Sequence, residues 1–100
     1  MTRRYRQVAV TGNSMLPTLV DGDLVLVRLD TSAHPEDLVL VRWPSRPGQL
    51  SIKRAVWPED AGWFVVGDNP PESTDSNHLG PARVLGVILW RLWPRPRRLR

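Results

Sequence analysis

One hundred residues with 41% hydrophobic content support a single domain, 1–100, around one modest core, and the absence of cysteine means that it folds without disulfides. The same composition excludes thiol catalysis and cysteine-ligated zinc, and two histidines, His34 and His78, leave too few ligands for a multi-histidine centre, so neither metal nor cofactor is expected. A net charge of +4 with a pI near 11.0 leaves anionic partners open.

Short apolar or alternating runs recur along the chain: Gln7 to Thr11, Leu24 to Leu29, Leu38 to Trp43, Leu50 to Val56, Trp63 to Val66 and Val84 to Trp93. Turn chemistry separates them, as in Asp21-Gly22-Asp23, Trp43-Pro44-Ser45-Arg46-Pro47-Gly48 and Gly67-Asp68-Asn69-Pro70-Pro71. This pattern predicts an all-β fold, a small antiparallel sheet or barrel-like domain. No stretch sustains a 3.6-residue period, and the one helical element expected is a single turn just after Ser14, with Pro17 in its first turn. The longest apolar run, Val84 to Trp90, is seven residues, far short of a membrane span. Met1 to Arg6 resembles the charged start of a signal peptide, but Val8-Ala9-Val10 is too short for its apolar core. A soluble, cytoplasmic protein is expected.

Eight of the fourteen basic residues fall in the first six and last ten positions: Arg3, Arg4, Arg6, Arg91, Arg95, Arg97, Arg98 and Arg100. A Pro/Arg-rich tail over residues 94–100 is read as a solvated end. Weak contact with a membrane surface through Trp90, Trp93 and the Arg tail is carried as a partner expectation, and nucleic acid is not expected.

Thirteen of the fourteen basic residues are arginine, and the single lysine is Lys53. A guanidinium keeps its proton, whereas a desolvated amine can release one and act as a base. Lys53 sits in Ile52-Lys53-Arg54-Ala55-Val56, a strand whose apolar flanks suit a dry environment. Ser14, in Gly12-Asn13-Ser14-Met15-Leu16-Pro17-Thr18-Leu19, is a candidate nucleophile that needs such a base.

These two segments and a third, Gly67-Asp68-Asn69 through Ser73-Thr74-Asp75-Ser76 to Gly80, resemble the nucleophile, base and G-D-N-x-x-x-S-x-D-S-x-x-x-G boxes of the type I signal peptidase family of Ser/Lys proteases. The resemblance runs through most of the chain. It implies a fold of the signal peptidase catalytic type, with Ser14 as nucleophile and Lys53 as base within or near hydrogen-bond reach of each other. It further implies that Ser73 orients the Lys53 amine, that Arg54 pairs with Asp68 as a structural ion pair, and that Asp75 belongs to the supporting set. The Ser14 N–H is the expected oxyanion donor. Gly12 stands where some members carry a second, hydroxyl donor.

The chain departs from the family pattern at Asn77, where the family has Arg, and at Glu36-Asp37, where it has Gly-Asp, and no membrane anchor is expected. His78, three residues after Asp75, invites a Ser-His-Asp reading, but a solvated loop histidine is the expectation. His34 reads as a turn residue, and Trp57 and Trp63 as a shield for Lys53 or the wall of a substrate groove.

Within the family, a short chain without an anchor most resembles the nickel-type superoxide dismutase maturation proteases. The resemblance implies a serine endopeptidase that removes an N-terminal propeptide from a protein precursor bound as an extended strand beside Ser14. The alternatives are an anchor-free signal peptidase acting on exported preproteins and a basic β-barrel that binds nucleic acid. A self-cleaving repressor domain is disfavoured, since no scissile linker stands before Ser14.

Overall fold

The computed structural model describes residues 4–100. Arg3, counted above with the basic N-terminal cluster, lies outside the described residues. The strands are β1 (Tyr5–Ala9), β2 (Leu24–Leu29), β3 (Leu38–Arg42), β4 (Ser51–Glu59), β5 (Gly62–Val66), β6 (Arg83–Trp93) and β7 (Arg97–Arg98). They form one antiparallel sheet in the order β1-β2-β6-β3-β4-β5, with β7 paired to β6. The all-β expectation is met, and all six expected runs form strands.

Alternation within the strands divides the apolar residues between two clusters. Leu38 and Leu40 of β3 pack with Val25, Val27, Ile52 and Ile88, while their neighbours Val39 and Val41 pack with Ala55, Val65 and Val87. A strand buried on both faces reads as an unbroken apolar run, which is the character of Leu38-Val39-Leu40-Val41. The first cluster is closed by Val10, Met15 and Leu19 from the β1–β2 connection, so the loop carrying Ser14 is part of the core and not an appendage. The long central β6 bridges both halves of the sheet, and register shifts at Leu24/Val25 and Leu26/Val27 of its partner β2 bend it between them.

The connection after Ser14 differs from the expected helical turn. It is a run of hydrogen-bonded turns, with the Leu16 N–H donating to the Asn13 carbonyl (3.3 Å) and the Leu19 N–H to the Met15 carbonyl (3.0 Å). Pro17 explains this: it carries no N–H and pushes Leu16 away from helical backbone angles. The helical pieces lie instead in the third motif, a 3-10 turn at Pro70–Glu72 and a four-residue α1 at Ser76–Leu79, capped by the Asp75 side chain.

The basic tail folds back on the sheet. The Leu99 N–H donates to the Leu89 carbonyl (2.8 Å), and Arg100 Nη2 reaches the Ser32 carbonyl (3.2 Å), His34 Nδ1 (2.7 Å) and Asp37 Oδ2 (3.3 Å).

His34 lies in a four-residue turn, with Pro35 second and Glu36 third at φ 76°, closed by the Asp37 N–H on the His34 carbonyl (3.1 Å). This is the arrangement of a type II turn, in which glycine is favoured at the third position. The Glu36 departure thus falls where a side chain is strained, and the turn is retained.

Candidate active site

Ser14 follows Gly12, which adopts φ 79° and turns the chain out of the β1 line. The Gly12 N–H is held by Asp21 Oδ1 (2.7 Å) across the connection. Ser14 is half-buried, and among the described residues its own N–H donates to no protein acceptor, leaving that donor free for a ligand.

Lys53 lies in β4 opposite Val39 and is only 4% exposed. Its amine donates to Ser73 Oγ at 3.1 Å. Ser73 in turn donates to Asp75 Oδ2 at 2.9 Å, and the same carboxylate oxygen accepts the Gly67 N–H at 3.0 Å. The other oxygen, Oδ1, accepts the Asn77 N–H (3.1 Å) and Asn77 Nδ2 (3.2 Å). Asn77 thereby satisfies the carboxylate without neutralising it, where an arginine would have done both.

Burial pushes the Lys53 pKa down, and the nearby Asp75 charge partly opposes that shift. Burial pushes Asp75 up, but the hydrogen bonds from Gly67, Ser73 and Asn77 outweigh it and hold the carboxyl below its usual range. A carboxylate accepts only, so the single Ser73 proton is committed to Asp75. Ser73 therefore meets Lys53 as an acceptor, taking one N–H and leaving the lone pair of a neutral amine free to point elsewhere.

Ser14 and Lys53 line one cavity of about 290 Å³, together with the rest of the Val8–Met15 and Gln49–Lys53 segments and with Leu40, Glu72 and Thr74. Both residues line this space, but no direct hydrogen bond joins their side chains. Free-enzyme contacts of this kind are often loose and tighten when substrate arrives.

The third motif ties the other two together. Asp68 takes a bidentate hold on Arg54, Nε to Oδ1 (3.2 Å) and Nη2 to Oδ2 (2.6 Å), and accepts from Thr18 Oγ1 at 2.6 Å. Burial raises the Asp68 pKa, but Arg54 and Thr18 together bring it below the usual carboxylate range. Arg54 Nη1 also donates to the Glu36 carbonyl (2.9 Å). Asn69 holds the nucleophile loop directly, its N–H on the Ser14 carbonyl (2.8 Å) and its Nδ2 on the Asn13 carbonyl (3.0 Å). At Gly67 a Cβ would collide with Ser73 Oγ and lie 2.7 Å from the Ser14 carbonyl oxygen, so only glycine lets the two motifs meet.

All six residues singled out from the sequence, Ser14, Lys53, Ser73, Arg54, Asp68 and Asp75, thus fall in one connected region. Thr18, Asn69 and Gly67 were not singled out for their contacts, although each lies inside a quoted motif. His78 is exposed and absent from the Asp75 hydrogen bonds, so no triad forms. Trp57 stacks on Phe64 (ring centroids 4.7 Å apart) and Trp63 packs on the second core cluster; neither lines the cavity shared by Ser14 and Lys53.

The sequence profile described as Peptidase S24-like matches residues 3–89. Subunit 1a of the mitochondrial ATP-independent inner membrane protease of Arabidopsis thaliana is 34% identical over 115 residues, covering 85% of this chain and 68% of that protein. Subunit 1b of the same protease is 29% identical over 113 residues, covering 83% and 67%. No helix among the described residues is long and apolar enough to cross a membrane.

Proposed function

The chain belongs to the Peptidase S24-like family, and from that premise we propose that it is a serine endopeptidase in which Ser14 is the nucleophile and Lys53 the general base. The observation that carries this reading is the Lys53 amine, buried, lowered in pKa and held on one side by Ser73, in the same cavity as Ser14. Neutral Lys53 takes the Ser14 Oγ proton as the oxygen attacks the scissile carbonyl, whose developing negative charge meets the free Ser14 N–H. The resulting ammonium returns the proton to the leaving amine. Water then enters, gives a proton to Lys53 and splits the Ser14 ester, releasing the acid and restoring the hydroxyl.

The substrate of this reading is a protein precursor whose N-terminal segment lies extended along the Val8–Ser14 wall of the cavity. Two precursor classes are in play. The motif resemblance of Gly67-Asp68-Asn69-Pro70-Pro71-Glu72-Ser73 favours a nickel superoxide dismutase precursor cut immediately before a histidine. The names of the two Arabidopsis relatives favour a membrane-delivered preprotein. Purified protein mixed with each precursor, with Ser14→Ala as control, separates them when the new N-terminus is read by mass spectrometry. Ser14-dependent cleavage of the dismutase precursor in detergent-free buffer supports the first. Cleavage only of preprotein in vesicles supports the second, and inertness toward both overturns the peptidase assignment of this site.

A further inference from the structure

The sheet that carries the nucleophile loop has an outward face that stands partly open among the described residues. On β2, Val25 and Val27 point into the core, and Leu24 and Leu26 therefore point out, where they are half-buried. The β2–β6 register sets Trp93 opposite Leu24 and Trp90 opposite Leu26, and cross-strand partners share a face. The two indoles are 61% and 42% exposed, large values for tryptophan. Arg28, two residues beyond Leu26, is exposed on the same side of β2, and Arg98 of β7 stands opposite Trp90. Strands β1, β2, β6 and β7 contain six arginines and no Asp or Glu.

We propose that this face docks on an anionic lipid surface, with Trp90 and Trp93 seated at the headgroup level and Arg28 and Arg98 on the lipid phosphates. Indole rings, apolar in the body and polar at the N–H, are the side chains enriched at that depth, and each arginine near such a surface adds attraction. A second copy is disfavoured by charge, since a two-fold interface sets a patch against itself and would bring Arg28 and Arg98 together with no acid between them. Leu24 lies at the end of β2 paired with Ala9, the last residue of β1 before the Ser14 loop, so docking would bring that loop near the membrane. The inference uses no catalytic group and stands or falls apart from the peptidase reading.

Co-sedimentation of the full chain with vesicles tests it. Binding is expected to vesicles of mixed phosphatidylcholine and phosphatidylglycerol, to be much weaker on phosphatidylcholine alone, and to fall as salt is raised. Trp90→Gln/Trp93→Gln and Arg28→Gln/Arg98→Gln, each checked for an unchanged fold by circular dichroism, are expected to weaken binding on the order of tenfold. Ser14→Ala is expected to bind as the wild type does. Failure to bind anionic vesicles at low salt, or binding indifferent to both double variants, overturns the proposal. So does single-stranded DNA binding that needs these residues while vesicles do not bind, or dimerisation in sedimentation velocity that both double variants abolish.

Discussion

Ser73 Oγ stands 3.1 Å from Lys53 Nζ and can only accept from it, because the serine's proton is held by Asp75. The orientation of the amine is thus set at one remove, by a carboxylate that does not bond to it.

Asp75→Asn tests that polarity. The amide would keep the size of the side chain, but its NH2 could donate to Ser73 and free the serine proton to cap the Lys53 lone pair. Peptidase activity is expected to fall by about 10²-fold or more. Because the Asp75 charge raises the Lys53 pKa, its loss should also move the acid limb of the pH–rate profile downward. A fall in rate with an unmoved limb would mark Asp75 as purely structural.

Wild-type activity is expected to rise with pH through the lowered Lys53 pKa, since only the neutral amine accepts the Ser14 proton. Lys53→Arg should be inactive across the range because guanidinium stays protonated. Stability gives a second readout. A lysine whose pKa is lower folded than unfolded makes the unfolded chain bind more protons between the two values, so wild-type stability should climb with pH across that window. Urea denaturation of Lys53→Met, which has no such proton, should show its stability relative to wild type declining as pH rises.

Gly67→Ala places a methyl group against Ser73 and the Ser14 carbonyl. Overpacking of this kind costs about 1–3 kcal/mol, to be read from the thermal midpoint. Activity should drop further than stability, since the displaced groups belong to Lys53 and Ser14.

Thr18→Val removes the 2.6 Å hydrogen bond to Asp68 while keeping the shape of the side chain. The expected loss is about 1 kcal/mol. The Asp68 contribution itself is present above the usual carboxylate pKa and is lost as pH falls through its lowered folded value. The variant's deficit, measured by urea denaturation, should therefore shrink in acid.

The strands were legible because alternation and turn chemistry agreed at nearly every junction, from Asp21-Gly22 to Gly67-Asp68. Ser14 and Lys53 were legible for a different reason, since each carries a reactive group in a segment that suits it. Asn69 and Thr18 were harder: they act by tying backbone and carboxylate across the fold, and no local pattern reports a partner fifty residues away. The helical turn after Ser14 was misplaced because Pro17 is compatible with a helix start and equally with the turns that form. In the tail, the clustered arginines suggested a solvated end, and residues 94–98 are exposed, but Leu99 and Arg100 find partners on β6 and the His34 turn.

The cavity is lined chiefly by two stretches of chain, Val8–Met15 and Gln49–Lys53. On the proposed peptidase reading, an extended chain seated there would meet both stretches at once. On that reading the scissile bond would lie in extended polypeptide. Processing would then be timed by when a precursor's leading segment comes loose from the body it precedes, before any preference for particular side chains is exercised.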